Sequence, residues 1–172
     1  DPHVLTMPET EGRNRHADWV NLLPLTPHGV IYEGMLPEIK GKYDLVLVCG
    51  WSRLLPLDLA PQMVGTHPTM LPHGRGRHPI PWSIILTAGS SSGLTFFRLV
   101  EQPDAGPILW QRPILVEPND HAAEVYHKVC NTGARAMPEV LNLCAAGIPG
   151  TPQDESRASV WPVIASRYPS CP

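Results

Sequence analysis

Runs of branched apolar residues alternate with proline- and glycine-rich connections along the chain. The clearest run is "YDLVLVCGW", residues 43–51, in which leucine and valine follow one another without polar alternation. A strand of this kind is covered on both faces, as in the parallel sheets of α/β proteins. Two later runs, "LTFFRLV" at 94–100 and "PILWQRPILV" at 107–116, are rich in branched and aromatic residues. They predict two strands joined by the turn "EQPDAG".

A helix is predicted after "EPND", because apolar residues recur at helical spacing from position 122 to position 130. Asn119 or Asp120 is suited to cap it, Pro138 should kink or split it, and Gly147 marks its end. Shorter patterns before residue 43 predict a strand in "HVLTMP", a helix in "ADWVNLLPLTPHG" and a strand in "GVIYEG".

Composition narrows the classes of function. The chain has 172 residues, a net charge of -3 and a pI near 6.2, so it lacks the broad basic field of a nucleic-acid-binding protein. No apolar run is long enough to predict a membrane span, and no signal peptide is recognised. The four cysteines form no CxxC pair, which favours a reduced, cytoplasmic setting. We divide the chain into a domain over residues 1–150 and a proline-rich C-terminal extension over 151–172.

The stretch "GTHPTMLPHGRGRHPIPWSI", residues 65–84, concentrates three histidines, two arginines and four prolines. We expect an irregular loop here and not a core helix or strand. His67 is placed near the carboxyl edge of the sheet, where an imidazole can move a proton at neutral pH. Asp104 lies in the turn between two predicted strands. From the residues alone, a structural histidine and a turn-capping aspartate remain alternatives, and the histidine spacing matches no zinc pattern.

Three segments in this order resemble the formyltransferase family that uses 10-formyltetrahydrofolate: "HPTMLP", the glycine loop "HGRGR" and "SGLTFFRLVEQPDAGPI". The resemblance implies a Rossmann-like α/β fold, a mostly parallel sheet flanked by helices, with an N-terminal part shorter than in the family. His67 and Asp104 match the catalytic histidine and aspartate. Gly65 stands where the family has an asparagine, so an amide that would donate to the oxyanion is missing.

The resemblance also implies binding residues. Folate recognition, mainly through backbone groups, maps to Gly50, Trp51, Ser52, Arg53, Leu54, Leu55, Val100, Glu101, Gln102 and Pro103. The acceptor would be bound by Thr69, Arg75 and Arg77. The two arginines are suited to recognise phosphate or carboxylate, although a solvated loop with unused arginines is the alternative. A tryptophan such as Trp51 beside a pocket is more often a core residue than a ligand contact.

We therefore predict an enzyme that transfers a formyl group from 10-formyltetrahydrofolate to the amine of a small acceptor, a nucleotide-linked amino sugar above all. No metal, nucleic acid or membrane is expected, and a truncated sheet edge would favour a homodimer. Two alternatives stay open: a hydrolase that releases formate from the same folate, and a folate- or nucleotide-binding module whose site has decayed at Gly65.

Overall fold

The computed structural model describes residues 39–51, 54–87 and 89–163, together with the backbone of two strands at 4–6 and 30–32. The chain divides into two compact units, one of residues 1–44 with 58–61 and the other of residues 45–57 with 62–172. No helix in these described ranges is long and apolar enough to cross a membrane.

The first unit contains strand β1, Val4–Thr6, and strand β2, Val30–Tyr32. The two strands pair in parallel and confirm the predictions for "HVLTMP" and "GVIYEG". The helix predicted in "ADWVNLLPLTPHG" lies outside the described residues. Leu59 is buried in this unit, and its carbonyl oxygen accepts a hydrogen bond from the backbone N–H of Gly41.

The second unit is built on a four-stranded mixed sheet in the order β3-β4-β5-β6. Its strands are Leu45–Val48, Gln62–His67, Ser90–Arg98 and Ile108–Val116. Strand β3 pairs with β4 in parallel, whereas β4 with β5 and β5 with β6 are antiparallel. The α/β, Rossmann-like prediction and the predicted strand pair are confirmed, whereas the four-stranded sheet is mixed and not mostly parallel, because β5 and β6 form an antiparallel hairpin.

Strand β4 was not predicted, and His67 therefore ends a strand of its own. The sequence "QMVGTH" begins and ends with polar residues and has a glycine inside, so its apolar run is too short to be recognised. Its two neighbours in the sheet supply the pairing that the local pattern does not indicate.

Within the described residues of the second unit, two helices lie against the sheet. Helix α1, Pro79–Thr87, corrects the expectation of a continuous loop over residues 65–84. Pro79 and Pro81 occupy its first turn, where backbone N–H groups have no intrahelical partner and proline is tolerated. Helix α1 contacts β5, β6 and the longer helix α2, Ala122–Ala145.

Helix α2 corrects two further details. It is continuous through Pro138, so the predicted split is wrong, and its buried residues on both sides of the proline pack on β5 and β6. It begins after His121, whose N–H donates to the Glu124 side chain, and not after Asn119 or Asp120. The predicted end is confirmed by Gly147, which has a φ of 67° and donates to the Cys144 carbonyl.

One hydrophobic core joins α2 to the sheet. Its buried members are Val64, Leu94, Phe96, Trp110, Ile114, Ala136, Val140 and Cys144. The rings of Phe96 and Trp110 meet edge to face at 5.8 Å, and Trp110 Nε1 donates to Glu139. This core fixes β4 and β5, which carry the residues discussed below.

The residues after α2 return to the sheet as a C-terminal segment, residues 151–163. Thr151 exchanges two backbone hydrogen bonds with Ile108 at the start of β6. A 3₁₀ turn follows at Glu155–Arg157, and Val160 then forms a parallel bridge with Arg75. The segment thus reaches the loop that follows β4.

Candidate active site

His67 is buried at the end of β4, with one ring nitrogen bound to the scaffold. Nε2 lies 2.8 Å from the carbonyl oxygen of Gly74. Because a carbonyl can only accept, Nε2 carries the proton in this hydrogen bond. In the neutral ring, Nδ1 is then the nitrogen with a free lone pair, so it can take up a proton.

Asp104 faces the other side of the ring. It lies in the loop between β5 and β6, and its φ of 58° is in the left-handed region. Oδ2 accepts a hydrogen bond from the N–H of Gly76 at 2.9 Å, and Oδ1 lies 3.6 Å from His67 Nδ1. That separation is too long for a hydrogen bond, but it lets the carboxylate attract an imidazolium once Nδ1 is protonated.

The glycine loop connects the two side chains. Gly74 accepts from His67, and Gly76, two residues on, donates to Asp104. A Cβ on Gly74 would lie 2.8 Å from the ring of Trp161, and φ is 69° at Gly74 and 106° at Gly76. Only glycine combines this backbone with this close packing. The loop therefore sets the relative position of His67 and Asp104.

Gly65 lies on β4 two residues before His67, opposite Phe97 of β5. It does not adopt a positive φ, so its backbone would suit other residues. Space is the constraint, because a Cβ would lie 2.6 Å from Leu99 Cδ2 and 3.2 Å from the Phe97 ring. The Leu99 side chain thus occupies the position into which a larger residue would point.

A cavity of about 460 Å³ opens beside these residues. It is lined mainly by apolar side chains and reaches Asp104; its lining is Val48, Trp51, Leu54, Leu55, Leu57, Gly65, Thr66, Phe97, Leu99, Val100, Glu101, Pro103 and Asp104. This size and lining are typical of a site for a small organic ligand. The indole Nε1 of Trp51 is buried and makes no hydrogen bond within the described structure.

Most of the predicted folate residues that the structure describes line this cavity, namely Trp51, Leu54, Leu55, Val100, Glu101 and Pro103. Gly50, with a φ of 64°, and Gln102 belong to the same two loops but do not line it. Ser52 and Arg53 lie outside the described residues. Sequence reasoning did not single out Leu99 or Phe97, for which the only signal was their place beside the "VEQP" loop.

The three predicted acceptor residues have different surroundings. Thr69 is buried, and its hydroxyl donates to the His73 carbonyl within the turn after β4. Arg75 is 4% exposed, and its guanidinium donates to Gln153 and Glu155. Arg77 is exposed and makes no hydrogen bond or ion pair with any described residue. Of the three side chains, only that of Arg77 is exposed.

Comparison with known proteins identifies the family. Residues 34–141 match the family model described as formyl transferase, which is more than half of the chain. The chain belongs to the formyl transferase family. A methionyl-tRNA formyltransferase of Lactiplantibacillus plantarum is 34% identical over 126 residues, covering 70% of this chain and 39% of that protein. The chain therefore spans well under half the length of this curated relative.

Solved formyltransferase structures share the fold. A protein of Mycobacterium tuberculosis assigned to the sugar N-formyltransferases is 26% identical, with a TM-score of 0.64 over 78% of this chain and 59% of that chain. The formyltransferase PseJ of Anoxybacillus kamchatkensis, solved with a formamido sugar nucleotide and tetrahydrofolate, is 24% identical, with a TM-score of 0.61 over 70% and 65% of the two chains. The latter likeness establishes the fold alone.

Proposed function

We propose that this formyltransferase domain transfers a formyl group from 10-formyltetrahydrofolate to the amine of a small acceptor, an amino sugar carried on a nucleotide. The observation that carries the proposal is the His67–Asp104 pair, of which Asp104 lines the cavity. Family membership supports the reaction class, and the sugar N-formyltransferase neighbours support the class of acceptor.

The cavity fits the folate in three respects. Its volume suits a flat aromatic ring system, and its lining is apolar and includes the aromatic residues Trp51 and Phe97. The cavity is also lined by Asp104, whose Oδ1 lies 3.6 Å from His67 Nδ1, so a molecule bound there would contact one member of this pair. The bound folate would supply the formyl carbon, an activated acyl group that an amine can attack.

His67 and Asp104 then perform the proton transfers. Nδ1 of His67 accepts a proton from the amine as its nitrogen bonds to the formyl carbon. The carboxylate of Asp104 stabilises the imidazolium that results. Nδ1–H can next donate to the leaving nitrogen as its bond to the formyl carbon breaks, so the proton removed from the acceptor is returned to the donor and the ring ends neutral.

Gly65 offers no side chain to stabilise the oxyanion of this reaction. The positive charge of the protonated His67 ring is present when the negative charge develops, and it can stabilise the oxyanion together with a backbone N–H. This arrangement makes the imidazolium serve in both proton transfer and charge stabilisation.

The acceptor is assigned from charge and relatives. The net charge of -3 disfavours a tRNA, whereas the exposed guanidinium of Arg77 beside the glycine loop can bind one phosphate group. A phosphorylated or nucleotide-linked amine satisfies both features.

Turnover of 10-formyltetrahydrofolate by the full chain against a panel of nucleotide-linked amino sugars, amino acids, Met-tRNA and no acceptor tests the proposal. We expect formylated sugar as product and little formate without acceptor. Release of formate at full rate without acceptor would indicate a hydrolase. Folate binding without turnover, measured by calorimetry, would indicate a binding module, and either result overturns the proposal.

A further inference from the structure

The side chain of Gln153, in the C-terminal segment, joins the two loops that carry His67 and Asp104. Its Nε2 donates to the carbonyl oxygens of Asp104 and Gly106, each at 2.8 Å. Its Oε1 accepts from Nη2 and Nε of Arg75 at 2.7 and 3.2 Å. Both amide protons and both lone pairs of the glutamine are therefore used.

Arg75 is held rigidly between these contacts. Its guanidinium also donates to both carboxylate oxygens of Glu155, at 2.6 and 2.9 Å. Its backbone N–H donates to Ser159, and its carbonyl accepts from the N–H of Trp161. A bidentate arginine pair of this kind fixes direction as well as distance. The residues on either side of Arg75 are Gly74 and Gly76, which contact His67 and Asp104.

The Asp104 loop needs support from outside itself. A non-glycine residue with a φ of 58° is held in a sparsely populated conformation, which the surroundings must stabilise. Gln153 donates to the carbonyl of this residue and to that of Gly106, so it restrains the backbone on both sides of Ala105. We infer that Gln153 is a positioning residue that holds Asp104 toward His67 by tying the Asp104 loop to Arg75.

This inference rests on the proposed function, because it gives Gln153 its effect through the His67–Asp104 pair. The pair is sensitive to such support, since a misplacement of about 1 Å in an active site can cost about a hundredfold in rate. Gln153 itself does not line the cavity, so its loss should act on turnover more than on ligand affinity.

Gln153→Glu distinguishes two roles of this side chain: positioning the Asp104 loop, and attaching the C-terminal segment to Arg75. The new carboxylate can still accept from Arg75, but it has no N–H and would repel the carbonyl oxygens of Asp104 and Gly106. We expect kcat to fall about tenfold or more, with the acceptor KM within about threefold of the parent. Asp154→Asn is the matched control. Asp154 is the neighbouring residue, and its side chain accepts from Ser156 within its own turn, so kcat should stay within about threefold.

Gln153→Met, which is uncharged and of similar length, is measured in parallel, and folding is checked by thermal melting. A folded Gln153 variant with the kcat of the parent overturns the inference, as does an equal loss in Asp154→Asn. Unfolding of both Gln153 variants also overturns it, because the role would then be global stability.

If the parent transfers no formyl group to any acceptor, the proposed function fails and the inference is judged by ¹⁵N NMR of the His67 ring. Changed ring signals in Gln153→Glu but not in Asp154→Asn support positioning. Unchanged signals in Gln153→Glu overturn it.

Discussion

The two ring nitrogens of His67 have different surroundings. Nε2 donates to Gly74, and this bond leaves Nδ1 facing Asp104 in the neutral ring. The same histidine in a solvated loop would have no fixed tautomer. The burial of the ring and its hydrogen bond to one carbonyl oxygen suit His67 to the proposed role of a base.

Replacing His67 by alanine should lower kcat for formyl transfer by about a hundredfold or more, the low end of general acid–base contributions. The acceptor KM should change less. His73→Ala, at an exposed histidine of the same loop, is the control and should leave kcat within about threefold. Turnover of folded His67→Ala at the parent rate would remove His67 from the mechanism.

Arg77→Ala should raise the KM for an anionic acceptor by about tenfold with little change in kcat, because a contact made equally in ground and transition states affects binding. Steady-state kinetics with a phosphorylated acceptor and its dephosphorylated form measure the effect. Arg135, an exposed arginine on α2, provides the control substitution. Equal KM values for both acceptors in the parent would contradict an anion-binding role.

Gly65→Asn should not increase kcat. An asparagine Cβ would meet Leu99 at 2.6 Å, so the side chain could enter only by displacing it, at a cost of about 1–3 kcal/mol in the free energy of unfolding. Thermal melting and kcat at saturating formyl donor measure both effects. Leu99→Ala combined with Gly65→Asn should recover stability by making room. A tenfold gain in kcat from Gly65→Asn alone would mean that the site had merely lost a donor.

At the level of elements in the second unit, the strands and helices with long apolar patterns could be predicted from the sequence, and those with short patterns could not. The hairpin of β5 and β6 and the helix α2 have long, periodic patterns and could be predicted from sequence. Strand β4 could not, because four of its residues, Gln62, Gly65, Thr66 and His67, lack a strong apolar side chain and its pairing comes from β3 and β5. Helix α1 was hidden by prolines that are tolerated in its first turn.

Those residues of the candidate site that lie in a short sequence motif could be proposed from the sequence. His67 and Asp104 could be named from "HPTMLP" and "PDAGP". Arg75 was assigned to the acceptor because a cation in a glycine loop resembles an anion site. Its actual partners, Gln153 and Glu155, lie about 80 positions further on, and no local pattern in a single sequence predicts a contact at that separation.

The connection between β6 and α2 depends on one carboxylate. Asp120 is nearly buried, and Oδ2 accepts from the Glu117 N–H at 2.8 Å and from Lys128 Nζ at 2.6 Å. The hydrogen bond from Lys128 holds the pKa of Asp120 below its ordinary value of 3.8. The ionised form is thus the one that the fold stabilises.

Asp120→Asn should lower Tm at pH 7 by about 2–4 °C, since the amide replaces a charged acceptor at this turn. The stability supplied by the carboxylate is complete above its unfolded pKa and is lost as pH falls through 3.8 and below, because the folded pKa is depressed. Melting curves from pH 7 to pH 3 should therefore converge for parent and variant. Asp44→Asn, at an exposed aspartate, should leave Tm unchanged.

At the scale of the second unit, the C-terminal segment belongs to the framework that holds the candidate site. It contacts β6 through Thr151, the glycine loop through Arg75, and α1 through the Pro162 carbonyl, which accepts from Trp82 Nε1 at 2.7 Å. We therefore treat residues 151–163 as a brace on the proposed site.

Arg75→Leu should release this brace and expose it to protease. Cleavage within residues 151–163 by trypsin at low concentration should become about tenfold faster, because cleavage follows the population of the open form. Arg135→Leu, at an exposed arginine of α2, is the control, because it leaves Arg157, the tryptic site within residues 151–163, in place. Resistance equal to that of the parent would show that the backbone contacts alone hold the segment.

The contacts of the glycine loop fix the number of residues between His67 and Gly76. Between His67 and Gly74 the chain turns back so that a carbonyl meets the ring it has just left, and two residues later an N–H meets Asp104. A single inserted or deleted residue in this turn would shift Arg75 into a glycine's place and a glycine into Arg75's place. The contacts of Arg75 with the C-terminal segment and the relative position of His67 and Asp104 would then be lost together. Natural variation in this loop should therefore consist of substitutions at constant length, with insertions accumulating elsewhere.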